Sequence, residues 1–254
     1  MKELKINKIS FIAGRWPLNS SLPTLICIHG SGGSNVLWHF QVEALANTMN
    51  TIAIDLPGHG KSDGRGMETI EDYAESVSAF IQEIDAPNPI PCGLSIGGAI
   101  VLQLLLQEPA NFNAGILVNT GAKLKVMPLI FEMIEKDYKG YVQSMYTFGA
   151  SEKTDSSKLK PLVESMEKCP PQVALGDFKA CDSFNVMDQI HKIKIPVLVL
   201  TASDDKLTPK KFGKFLSEQL KKSTLKHIID AGHLSPLEQP EKVNNELKGF
   251  IMEV

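Results

Sequence analysis

The stretch Gly93-Leu94-Ser95-Ile96-Gly97-Gly98 leaves the chain few ways to fold. It reads G-x-S-x-G. β-compatible apolar residues, Ile90 and Cys92 among them, precede it, and an apolar helical run from Ala99 to Leu106 follows. A strand that turns at once into a helix has no room for a side chain beside the turning residue, and glycines at 93 and 97 remove those side chains. Ser95 is then expected on a strained turn, its hydroxyl exposed at the strand tip. The start of the helix adds unpaired backbone N–H groups, suited to a developing oxyanion. Taken alone, the six residues also fit a glycine-rich strand-to-helix turn with an idle serine. The strand before and the helix after favour a nucleophile.

Strand and helix patterns alternate around this turn. Residues 4–12 mix apolar and polar positions and read as one or two antiparallel edge strands. Thr24–Ile28, Thr51–Ile54, residues 90–94 and Gly115–Val118 are short apolar runs, the pattern of buried strands. Leu37–Met49 and Thr69–Ile84 have helical periodicity between them. From 122 to about 191 the pattern is helical only, over Met127–Tyr146 and Leu159–Met166. Alternation then resumes: a strand at Pro196–Leu200, a helix from about Pro209 to Leu220, a strand at Leu225–Ile229, and a helix from about Pro236 to Met252. The expected fold is α/β, a mostly parallel central sheet of about eight strands flanked by helices on both faces. Residues 1–121 and 192–254 are expected to form its core domain, and 122–191 a helical cap inserted over the strand tips.

Composition narrows the partners. A net charge of −3 gives no footprint for nucleic acid, and Arg15 and Arg65 are the only arginines. No apolar stretch is long enough to span a membrane, and Met1-Lys2-Glu3-Leu4-Lys5 lacks the apolar core of a signal peptide. Cys27, Cys92, Cys169 and Cys181 form no C-x-x-C pair; Cys27 and Cys92 lie in strand-like runs as buried thiols. A cytoplasmic location is expected. No metal-ligand spacing recurs among His29, His39, His59, His191, His227 and His233, so neither metal nor cofactor is expected.

A serine hydroxyl needs a base, an acid to orient that base, and N–H donors for the oxyanion. In an open parallel sheet these groups converge at the carboxyl ends of the strands. His233 follows the last expected strand and precedes a strong helix-start signal: Ser235 as cap, Pro236 as first helical residue, Glu238 as the cap's reciprocal partner. It is the candidate base. Asp204 and Asp205 both follow the strand before, and Thr208-Pro209 reads as the cap and first turn of the next helix.

With these residues in place, the chain resembles the α/β-hydrolase fold superfamily over nearly its whole length, in type nearest the small esterase, lactonase and C–C hydrolase group. Four segments carry the resemblance: His29-Gly30 and its glycine-rich sequel, Asp55 through Ser62, Gly93 through Gly98, and Ala231-Gly232-His233 through Pro240. The order serine, acid, histidine is the order of that superfamily. The resemblance implies Ser95 as nucleophile, His233 as base, and Asp205 as the acid, four residues before Pro209. It implies the backbone N–H groups of Ser31 and Ile96 as the oxyanion hole, and structural duty for His59. Leu94 departs from the pattern, since many relatives have histidine there. Ser95 speaks against dehalogenase and epoxide hydrolase chemistry, which needs aspartate at the nucleophile.

The expected activity is hydrolysis of small, largely apolar carboxylic esters or lactones through an acyl-enzyme, with a small molecule as the partner. Nine lysines and ten acidic residues leave 122–191 nearly neutral. Its five methionines suit an irregular apolar pocket. Ile130, Ile134, Tyr141 and Met145 form one apolar stripe, serving to pack the cap, to line an acyl pocket, or both along different turns. Two other readings share the triad. One is a C–C bond hydrolase, which usually needs a cationic partner for an anionic substrate. The other is a receptor-like protein that captures ligand without turnover.

Overall fold

The computed structural model describes residues 1–254. Eight strands form one sheet: β1 (Lys2–Ile6), β2 (Ile9–Ala13), β3 (Thr24–Ile28), β4 (Asn50–Ile54), β5 (Pro89–Leu94), β6 (Gly115–Val118), β7 (Val197–Ala202) and β8 (Ser223–Ile228). Their spatial order is β1-β2-β4-β3-β5-β6-β7-β8. The β1–β2 and β2–β4 pairs are antiparallel, and every pair from β4–β3 to β7–β8 is parallel. The order reverses direction at β3, and the carboxyl ends of β3 and β5 are therefore a natural place for a site.

Strand parity explains why the central strands read as continuous apolar runs. Ile26 and Ile28 of β3 pack with Tyr73 and Val77 of α2 (Ile70–Glu83) and Ile100 and Leu104 of α3 (Ile96–Gln107). Leu25 and Cys27 point the other way, to Val42 of α1 (His39–Leu45) and Leu247 of α11 (Pro240–Ile251). The sheet is thus covered on both faces. Helix α3 is buried on all sides from Ile96 to Leu105, which is why it carries no polar stripe.

Between β6 and β7 the chain forms five helices: α4 (Pro128–Lys136), α5 (Tyr138–Gln143), α6 (Met145–Phe148), α7 (Lys160–Met166) and α8 (Pro171–Ser183). The single helical run expected over Met127–Tyr146 is three helices instead. Asp137 breaks the first junction: it leaves helical geometry, and its carboxylate caps the Gly140 N–H at 2.9 Å. Helix α8 has no counterpart in the sequence reading. Val173, Ala174, Gly176, Asp177, Ala180 and Cys181 form its buried face, but Gly176 and Asp177 there, with Leu175 and Phe178 on the other side, blur the amphipathic pattern.

The last third needs three corrections. Helix α9 (Lys211–Gln219) starts after Thr208-Pro209, and the Thr208 hydroxyl donates to Asp205 rather than capping a helix. The expected helix Pro236–Met252 is split into α10 (Ser235–Glu238) and α11, because Pro240 has no N–H to continue the first and suits the start of the second. The capping box at Ser235 is absent. Glu238 accepts hydrogen bonds from the N–H groups of Gly232 and Ser151 and from the Thr154 hydroxyl, and Ser235 accepts from Asn119. No helix is long and apolar enough to cross a membrane.

Candidate active site

Ser95 joins β5 to α3 with φ 58° and ψ −118°, a conformation that side chains rarely tolerate. The glycines on either side make the turn possible. A Cβ on Gly93 would lie 2.1 Å from the Gly97 carbonyl, and one on Gly97 would lie 2.5 Å from the Ile28 carbonyl oxygen. Strand and helix approach each other backbone to backbone there. Two further bonds hold the turn: the Ser95 N–H donates to Val118 O at 3.1 Å, and the Thr120 hydroxyl donates to Ser95 O at 2.7 Å.

His233 lies in the loop after β8 and Asp205 in the loop after β7. Both are buried, and His233 Nδ1 lies 3.0 Å from Asp205 Oδ2. The rest of the Asp205 carboxylate is satisfied by the N–H groups of Leu207 and Thr208, each at 2.9 Å, and by the Thr208 hydroxyl at 2.7 Å. Burial pushes this carboxyl up, but the His233 charge and the hydrogen bonds outweigh it and hold its pKa at about 2. An ionised acceptor at this position requires Nδ1 of His233 to carry hydrogen, which leaves Nε2 as the nitrogen free to take a proton. Asp204 turns elsewhere. It accepts from the hydroxyls of Ser151 and Ser203, which lower its pKa, and makes no bond to His233.

Ser95, Ser31 and His233 line one cavity of about 260 Å³. Fifteen of its 23 lining residues are hydrophobic, and eleven of the 23 fall between 122 and 191. Ile130, Tyr141 and Met145 of the apolar stripe face this cavity, while Ile134 packs into the interior. These residues therefore both pack the interior and line the cavity, from three helices rather than one. The charged lining residues Lys125 and Lys206 carry partners of their own, Asp182 at 2.8 Å and Glu152 at 3.4 Å. The Ser31 N–H makes no intramolecular hydrogen bond, and Ile96 is the first residue of α3, where the N–H has no partner within the helix. No cluster of three or more His, Cys, Asp or Glu side chains is arranged to hold a metal ion.

A second buried network stands behind the cavity. Asp177 of α8, fully buried, accepts from the Gly32 N–H at 2.8 Å, from His59 Nε2 at 2.8 Å and from the Tyr73 hydroxyl at 2.5 Å. His59 Nδ1 lies 3.1 Å from Pro57 O, so both ring nitrogens face acceptors and both must donate. Burial opposes the imidazolium, but the Asp177 charge and hydrogen bond prevail and raise the His59 pKa. His29, with its ring centroid 4.8 Å away, is the opposite case. Its Nδ1 bonds Gly30 O and its Nε2 accepts the Leu56 N–H, which requires a neutral ring. Burial first, and the His59 charge second, lower its pKa to about 3. His29 and His59 thus brace loops, while Asp177 gave no signal in the sequence because its partners lie more than a hundred residues away.

Comparisons with known proteins bear on the family and the fold. Residues 25–246 match the Alpha/beta hydrolase family. The chain is 26% identical over 239 residues to 3-oxoadipate enol-lactonase 1 of Acinetobacter baylyi, covering 91% of this chain and 90% of that one. It is 22% identical over 237 residues to a pimeloyl-[acyl-carrier protein] methyl ester esterase of Nitrosomonas europaea, covering 87% and 92%. A solved thermophilic esterase superposes with a TM-score of 0.84 at 27% identity, over 99% of this chain and 97% of that one. The chain belongs to the alpha/beta hydrolase family.

Proposed function

We propose that this chain hydrolyses small, largely apolar carboxylic esters or lactones through an acyl-enzyme on Ser95, with residues 122–191 as the cap that shapes the substrate pocket. Ser95 Oγ attacks the carbonyl carbon as His233 Nε2 takes its proton. Asp205 holds Nδ1 and stabilises the imidazolium. The N–H groups of Ser31 and Ile96 receive the oxyanion, where preorganised donors contribute most to the rate. The imidazolium then protonates the leaving alcohol. Water, deprotonated by the same histidine, releases the acid.

The observation that carries this reading is a shared one: a strained serine and an acid-oriented histidine open on the same apolar cavity. The relatives add support from their own names, an enol-lactonase and two esterases. Because both lysines at the cavity are paired, an uncharged substrate fits better than one with an anionic tail. The test is fluorophosphonate labelling beside turnover of short-chain p-nitrophenyl esters. Wild type labels at Ser95 and turns over. Ser95→Ala loses labelling and at least about 10⁴-fold in kcat. Undiminished hydrolysis by the alanine variant would refute the mechanism, and labelling without turnover would favour ligand capture.

A further inference from the structure

The tip of β6 carries two adjacent side chains that reach to opposite sides of the site. Thr120 donates its hydroxyl to the carbonyl of Ser95 at 2.7 Å. Asn119 donates its amide to the carbonyl of His233 at 2.9 Å and to Ser235 Oγ at 2.9 Å, with the Gly232 carbonyl at 3.3 Å. The backbone of this dipeptide is itself fixed on the sheet, since the Asn119 N–H donates to Leu200 O at 2.9 Å. One rigid strand tip therefore holds the backbone of the serine turn and the backbone of the histidine loop.

Two features of Asn119 work against stability. It has φ 45°, a left-handed conformation that glycine would adopt more readily. Its amide oxygen is buried without a hydrogen-bond partner. The amide cannot simply flip to relieve this, because the oxygen would then face the carbonyls of His233 and Gly232. A strained residue with an orphan acceptor persists in a buried place where its surroundings fix it, and such places cluster at functional sites.

We infer that Asn119 and Thr120 form a positioning clamp that sets the separation between the Ser95 turn and the His233 loop. This rests on the reading of Ser95 and His233 as the reacting pair. Neither clamp residue touches substrate; both act through backbone carbonyls. Loosening the clamp therefore lowers kcat and spares KM, because the cavity lining contains neither residue.

The test uses three variants of the full chain in the ester assay. Asn119→Gly removes the side chain while suiting the backbone; relief at the positive φ offsets part of the cost of the acceptors left at His233 and Ser235, so the melting temperature falls by a few degrees at most and the kinetics are read well below it. Its kcat falls by about tenfold to a hundredfold, with KM within about twofold. Thr120→Val keeps the shape, loses the hydroxyl, and lowers kcat about tenfold. Thr120→Ser keeps the hydroxyl and restores kcat to within about twofold of wild type. A double variant, N119G with T120V, loses less than the product of the two single losses, because both residues fix one distance. If wild type labels at Ser95 while N119G and T120V keep their kcat, the clamp is overturned and the reading of the site survives. Loss of labelling in the wild type itself overturns both.

Discussion

Replacing Asp177 tests how strongly the insertion is bound to the rest of the chain. Asp177→Ala removes the acceptor of three buried bonds. It strands the Gly32 N–H, takes the carboxylate from the Tyr73 hydroxyl, and leaves His59 without its counter-charge. Breaking one partner out of a buried pair costs about 3–5 kcal/mol, a large part of the stability of an ordinary domain. In a chain of this size each kcal/mol moves the melting temperature by about 2–4 °C, so the loss is roughly 6–20 °C. Asp177→Asn keeps an acceptor for Gly32 and loses less. The sign of its pH dependence is the sharper result. The His59 pKa is raised above its ordinary 6.5 in the folded chain. The stability this contributes is fully present below about 6.5 and is lost as pH rises through the higher folded value. The gap between wild type and D177N, measured by urea unfolding, is therefore widest below about pH 6.5 and narrows as pH rises through the higher folded value. A gap that widens with pH, or a D177A loss below about 1 kcal/mol, would refute the charged His59–Asp177 pair.

Two further outcomes concern the acid and the pocket. Asp205→Asn lowers kcat by about 10³–10⁴-fold, while Asp204→Asn stays within about threefold of wild type, since Asp204 bonds serines and not His233; steady-state kinetics on one p-nitrophenyl ester separates them. Ile130→Trp, which pushes an indole into the cavity, reduces the preference for hexanoyl over acetyl esters by about tenfold or more, read as a ratio of kcat/KM values.

What the sequence disclosed was local. The turn at Ser95 announces itself because close backbone approach demands glycine at 93 and 97 within five residues. Buried strands announce themselves because a sheet covered on both faces leaves β3 and β7 apolar but for one threonine each, Thr24 and Thr201. The order of Ser95, Asp205 and His233 follows from which strand each succeeds. Illegible were groups whose meaning depends on distant partners. Glu238 stands three residues after Ser235 and looks like a cap partner, yet donors from Gly232, Ser151 and Thr154 claim its carboxylate. Helix α8 hid because its buried face carries Asp177 and small residues, while Leu175 and Phe178 lie on the opposite side. Asn119 is one polar residue after a strand, and nothing nearby in sequence points to the His233 carbonyl 114 residues on.

Glu238, misread as a cap partner, and Asp177, not singled out by the sequence, share a design. Asp177 and Glu238 are both buried, both belong to bonds that join the 122–191 segment to the rest of the chain, and each accepts an N–H beside a candidate catalytic residue. Asp177 holds Gly32, next to Ser31; Glu238 holds Gly232, next to His233. Elsewhere the roof meets the cavity through Met127, Met145 and Met166, side chains that repack with little loss. Directional, charge-assisted bonds fix the two loops, where displacement of an ångström is costly. Adaptable apolar contacts cover the ground between. Under the proposed function, variation in residues 122–191 would alter what enters the cavity while the Ser31 and His233 loops keep their places.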